Sequence, residues 1–393
     1  VLLILEDPLG VGIEMDKFSG FVRPGESDDI TLTFSALNLD AGLYEGDLTI
    51  SNSDFNNAIL EIPISLSVNN TLNPNSATFS FDVNGEESWH MLSSPVEGAT
   101  YDDLLGPLWT QGFKGADSEN GTPNVLKYDV LTQEFAPPDS QSQKIEAGEG
   151  FIAFIFADDD AENPELSGGF PKQIQVFGDQ HSFATPTLSN ISDGFSLVGN
   201  PFGATIDTDF FVQDGLNTVY YVYDTSLNSY ISWNGITGGL SDGLIAPFQG
   251  FWVQTTLLST PQLSIPEEAI SPSGTIIRKQ SSFPDPIIQL RLDADGMNNS
   301  AWLSFTDTGE IGIDQQDALK LKPLDKVDYI SISTIVDNKT LDINNLPLKI
   351  GKEIEIPLQV SRFEENSKGW VQTGGEFVLS WPVIKNYPIG WEL

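Results

Sequence analysis

Glu149-Gly150-Phe151-Ile152-Ala153 is answered later in the chain by Gln249-Gly250-Phe251-Trp252-Val253. Each phrase reads as a core strand opened by a glycine, where the missing side chain lets another backbone come close. The repetition extends outward from these strands. Upstream, Trp89-His90-Met91-Leu92-Ser93-Ser94-Pro95 stands against Phe195-Ser196-Leu197-Val198-Gly199-Asn200-Pro201. After one residue of slippage, Gly98-Ala99-Thr100 aligns with Gly203-Ala204-Thr205, and further on Lys127-Tyr128-Asp129 with Val222-Tyr223-Asp224. A unit of this size, stated twice, decides the fold: two equivalent β modules, at 77–178 and 179–270, packed most simply about a pseudo-twofold axis.

Within the first copy the pattern predicts strands near 78–83, 90–93, 125–129, 150–156 and 173–177. Within the second it predicts them near 181–187, 195–199, 219–224, 250–255 and 262–265. Residues 101–108 and 207–213 each suit a helical turn or a short helix.

Composition agrees with a β-rich, multi-domain chain. Across 393 residues, 39% are hydrophobic, and 35 Gly and 24 Pro punctuate short apolar runs. Only 18 Lys and Arg stand against 56 Asp and Glu, a net charge of −38. Such a surface repels nucleic acid and anionic lipid and favours solubility and loose cation binding. The absence of cysteine excludes disulfides, thiol chemistry and Cys-based metal sites. No apolar run approaches the roughly 18 residues that span a membrane.

The flanks read as separate β modules. Residues 1–70 alternate with period two through Phe18, Ile30-Leu32-Phe34, Leu48-Ile50 and Ile64-Leu66-Val68, the pattern of an immunoglobulin or fibronectin type III β-sandwich. Linkers follow at 69–76 and 271–285. From 286 to 393 a second β-sandwich is expected, opening with a hairpin across Asp293-Ala294-Asp295-Gly296. The sequence starts and stops in what read as strands, so a fragment of a longer polypeptide is expected, the last sandwich being truncated at its C-terminal end.

The stretches SGFVRPGESDDITLTF, GLYEGDLTISNSD and IPISLSV resemble the immunoglobulin-like modules set between domains of large secreted bacterial proteins. LRLDADGMNNSAWLSFTDTGEIGIDQQDALKL, LDINNLPL, IEIPLQV and GEFVLSW are similar to the β-sandwich that precedes the sorting domain in type IX secretion cargo of Bacteroidota-type bacteria. MLSSPV and DLLGPLWTQGF, with LVGNPF and APFQGFWV, resemble the repeat region of the same cargo. The resemblance implies an extracellular or cell-surface location, with the secretion machinery and cell-surface components as partners. It also implies a non-catalytic structural, adhesive or spacer role, any catalytic domain lying upstream of Val1. The alternative is a carbohydrate-binding accessory region of a secreted hydrolase.

Residues able to carry chemistry are sparse. The two histidines, His90 and His181, lack partnering motifs and read as structural, and no nucleophile elbow, zincin helix or phosphate loop is present. Asp158, Asp159, Asp160 and Glu162 form a candidate calcium loop, since hard cations take clustered carboxylates; the plainer reading is a solvated acidic loop. For a polysaccharide ligand, Trp109, Tyr220, Tyr230 and Trp233 are candidate stacking rings, with Asn234 to bond hydroxyls. The competing reading places these rings in cores. Trp233 has no counterpart in the first copy and is the better site candidate.

Overall fold

The computed structural model describes residues 2–5, 13–15, 31–34, 42–51, 59–68, 76–157, 169–256, 260–271, 285–349, 353–366 and 369–388. The protein is all-β and multi-domain. It divides into two compact units, Val1–Asn75 and Ser76–Leu393, with the boundary inside the expected polar linker.

In the first unit β1 (Leu2–Leu5), β4 (Gly42–Ser51) and β5 (Ile59–Val68) form one antiparallel sheet, while β2 (Ile13–Met15) pairs with β3 (Leu32–Phe34). The expected strand around Phe18 lies outside the described residues.

The second unit opens with the duplication. The first copy holds β6 (Ser76–Val83), β7 (Ser88–Ser93), helix α1 (Tyr101–Leu105), β8 (Val125–Asp129), β9 (Glu134–Ala136), β10 (Gly150–Ile155) and β11 (Lys172–Asp179). The second holds β12 (Phe183–Ala184), β13 (Phe195–Gly199), β14 (Ile206–Asp207), β15 (Val212–Asp214), β16 (Tyr220–Asp224), β17 (Ser229–Trp233), β18 (Leu244–Ile245), β19 (Gly250–Gln254) and β20 (Gln262–Pro266). The two central sheets have one topology, β7-β10-β8-β9 and β13-β19-β16-β17. Where α1 stands in the first copy, capped by Thr100 and Asp103 in a reciprocal box, the second has one tight turn at Thr208–Phe210 capped by Asp207.

The copies meet as an isologous pair. Leu92 bridges Gln249, and its counterpart Val198 bridges Glu149, the counterpart of Gln249. The amides follow the same exchange: Ser93 N donates to Phe248 O at 2.9 Å, and Gly199 N donates to Gly148 O at 2.9 Å. Each such contact occurs twice with the partners swapped, which is the signature of twofold packing. The glycines of the repeated phrase sit at this seam. A Cβ on Gly150 would lie 2.5 Å from Val198 O, and one on Gly250 3.1 Å from Leu92 O, so bare backbone is what lets the strands approach.

Alternation along the strands divides their side chains between layers. One face of each sheet buries its own core, around Phe151 and Val125 in the first copy and around Phe251 and Val198 in the second. The cores also exchange one turn. Phe248 of the second copy is buried in the first core, while Ala147 packs on the second. The opposite faces combine into one aromatic layer containing Met91, Ile152, Tyr221, Tyr223 and Trp252, which meets Ala318 and Ile343 of the chain's last part.

That last part holds β21 (Ile287–Ala294), β22 (Met297–Thr306), β23 (Ala318–Leu319), β24 (Tyr329–Val336), β25 (Lys339–Pro347), β26 (Leu358–Asn366), β27 (Gly369–Thr373), β28 (Val378–Ser380) and β29 (Ile384–Lys385). The expected hairpin joins β21 to β22 through Asp295 and Gly296, with φ of 50° and 82°. Strand β25 changes partner along its length: Lys339 to Leu341 pair antiparallel with β24, and Ile343 to Pro347 pair parallel with β22. The sheet therefore curls around a core of Ile288, Leu290, Leu303, Phe305, Ile330 and Ile332.

Candidate functional site

A polar seam fastens the duplicated region to the last β region. Asp325 accepts from Trp89 N of the first copy at 3.0 Å and from Tyr223 Oη of the second at 2.9 Å. Leu319 N donates to Tyr221 Oη at 2.8 Å, and Asn299 Nδ2 to Ser229 Oγ at 3.1 Å. Ser232 Oγ donates to Asp342, whose carboxylate is also held by the buried Lys320 ammonium at 2.6 Å. Burial raises the Asp325 carboxyl from its ordinary value, opposed by its bonds from Trp89 and Tyr223. Each of these bonds but the Lys320–Asp342 pair crosses the seam, so the modules hold one another's polar atoms in place.

The residues expected to bind sugar belong to this buried framework. Tyr220, Tyr230 and Trp233 keep 4%, 8% and 5% of their surface, and Asn234 none. This corrects the expectation of exposed rings. Tyr220 and Trp233 fill the second copy's core, whereas Tyr230 lies in the shared aromatic layer and accepts from Trp252 Nε1 at 3.2 Å. Tyr230 thus faces a different layer from Tyr220 and Trp233. Trp233 lacks a counterpart because β9 has three residues where β17 has five. Asn234 accepts from Ile236 N and Thr237 N and donates to Gln316 O at 2.9 Å, pinning a turn against the last region. Trp109 is half-buried and donates to Gln111 Oε1 at 3.1 Å. The calcium candidates Asp158, Asp159, Asp160 and Glu162 lie outside the described residues.

Two grooves flank the pseudo-twofold axis at equivalent places. The larger, of about 900 Å³, is walled by β8, the turn before β10, and residues 181–190. The smaller, of about 290 Å³, is walled by Tyr223 and Thr225, the turn before β19, and residues 81–84. Equivalent turns close both: Glu149 N donates to Glu146 O at 2.9 Å and Gln249 N to Ala246 O at 3.3 Å. In both turns the third residue has positive φ, 75° at Gly148 and 61° at Phe248.

Their chemistry differs. The larger groove carries Glu97, Asp129, Asp139, Glu146 and Glu149, and Lys127 is the one lysine or arginine among its lining residues. Lys127 is spent on Glu149 at 3.4 Å, and Tyr101 Oη donates to the same carboxylate at 3.3 Å. His181 lines the wall, buried, with no hydrogen-bond partner for Nε2. Burial lowers its pKa, against the pull of Glu97 and Glu146, so the ring is neutral near pH 7. The smaller groove contains His90, which burial holds down at about 4 and whose Nε2 lies 3.1 Å from Ser88 Oγ. Among the described residues no group of three or more His, Asp or Glu is placed to hold a metal ion, and no helix is long and apolar enough to cross a membrane.

Fold and grooves thus define a multi-domain β-protein built on an internal duplication. No protein family, curated protein or solved structure matches the chain.

Proposed function

We propose that this chain is a non-catalytic, load-bearing and adhesive region of a large secreted or surface-displayed bacterial protein. One observation carries the reading. The aromatic layer and the Asp325 clasp tie both repeat copies and the last β region into one interlocked body, so a force applied along the chain is shared among three modules. The strong negative charge, which keeps a protein soluble outside the cell, and the resemblance of the repeats to type IX secretion cargo support the extracellular setting. Secretion by that route, and the cell-surface components as partners, belong to the same proposal.

Two measurements test it. In single-molecule pulling of the whole chain, residues 76–393 yield in one cooperative event; stepwise release of three pieces overturns the load-bearing role. In the native host, the protein is reached by protease added to intact cells or is recovered from the medium; retention in the cytosol overturns the location.

A further inference from the structure

The duplication separates what the fold requires from what it does not. In the first copy Tyr101, Lys127 and Glu149 form a bonded set; the aligned residues of the second are Ile206, Val222 and Gln249. Glu146 likewise aligns with Ala246, while Glu97 is the extra residue of the slippage, beside the buried pair Val96 and Phe202. The second copy builds the same sheet, turn and seam with uncharged residues at the four aligned places and nothing in place of Glu97. The charges of the first copy are therefore not demanded by the architecture. They surround the larger of the two grooves.

That groove has an excess of acceptors. Glu97, Glu146 and Asp139 stand on its rim exposed to solvent, and its lysine is already paired to Glu149. His181 keeps 7% of its surface, and its Nε2 has no partner in the wall. Beside it Phe183 presents an apolar ring, 58% exposed. Such a surface suits a donor-rich cation on an aliphatic stem, since carboxylates and an aromatic face both attract ammonium groups. We infer that the larger groove binds a primary ammonium group on an aliphatic stem, either a lysine side chain of a peptide or a free polyamine. Glu97 and Glu146 pair with the ammonium, and the stem crosses Phe183.

The test is calorimetric titration of the whole chain with two probes, spermidine and a capped tetralysine peptide, with cellotetraose as a neutral comparison. The chain is acidic everywhere, so the variants must separate groove from surface. Glu97→Gln with Glu146→Gln changes the groove; Glu353→Gln with Glu355→Gln removes the same charge from exposed positions on the last region. All four side chains are exposed, as is Phe183, so folding is expected to survive, and thermal melting checks this. Saturable one-site binding is expected, weakened about tenfold by the groove pair, the loss of a charge-assisted contact, and less than about twofold by the other pair. Phe183→Ala weakens it as well. Saturation by spermidine marks a small amine as the natural ligand; saturation by tetralysine alone marks a protein partner. Equal weakening by both charge pairs, the absence of saturation with either amine, or cellotetraose binding that the groove variants abolish overturns the inference.

Discussion

Ser93 and Gly199 occupy equivalent positions in the two copies and face each other at the axis. A Cβ on Gly199 would collide with Ser93 Cβ and lie 2.6 Å from Glu149 O. Backbone blocks the way as well as a side chain, so Gly199→Ala is expected to destabilise residues 76–393 by about 1–3 kcal/mol, the usual cost of overpacking. Adding Ser93→Gly removes one of the two obstacles and restores part of the loss. Urea denaturation of the single and double variants measures both.

Phe248 sets two effects against each other. Its φ of 61° is unfavourable for an aromatic residue, and its ring fills the other copy's core. Relief of such strain is worth about 1–3 kcal/mol. Loss of a buried Phe side chain costs about 3–5 kcal/mol. Phe248→Gly is therefore expected to destabilise by about 2 kcal/mol net, and Phe248→Ala by more, because alanine loses the ring without gaining backbone freedom. Thermal or urea unfolding ranks the two.

Asp325 joins both copies to the last region, so its partners are coupled through it. Asp325→Ala leaves Trp89 N and Tyr223 Oη without their acceptor, at a cost of about 1–3 kcal/mol for each buried orphan. Tyr223→Phe removes one of those orphans in advance. In a double-mutant cycle the two changes are expected to be non-additive by about 1 kcal/mol or more. Additivity would show that the clasp does not couple the modules.

Two buried groups give stability opposite pH dependences. Burial pushes Asp317 up from 3.8 to about 7, against bonds from Asn345 N and Asp314 N and with the charges of Asp314 and Glu310 adding to the rise. The folded state then holds a proton the unfolded state has lost, so this contribution is full below about pH 4 and disappears as pH rises through 7. His90, lowered from 6.5 to about 4, contributes stability above 6.5 that is lost as pH falls through 4. Difference curves from Asp317→Asn and His90→Gln are expected to slope in opposite directions between pH 4 and 7 in chemical denaturation.

The duplicated β units were legible because the glycine of each core phrase must be absent of side chain for the seam to close, and that need leaves a visible repeat. The Asp-Gly hairpin was legible because positive φ at two successive positions selects its residues. Trp233 misled because loop position is a poor guide to exposure where a strand is longer in one copy. Asn345 was not legible: its amide reaches Thr306, Asp314 and Gln316 from within a strand, a role set by tertiary partners with no local pattern. The larger groove left only a faint trace, charged residues in one copy aligned with uncharged ones in the other, which acquires meaning once the two grooves are seen to be equivalent.

The turn exchanged between the two cores bears on ancestry. A peptide carrying one copy could cover these surfaces only by joining a second molecule of itself, and both clefts of that homodimer would have shared every substitution. Linking the halves in one gene lifted that constraint: one cleft could keep a single carboxylate, Asp82, and a phenylalanine at its turn while the other accumulated charge.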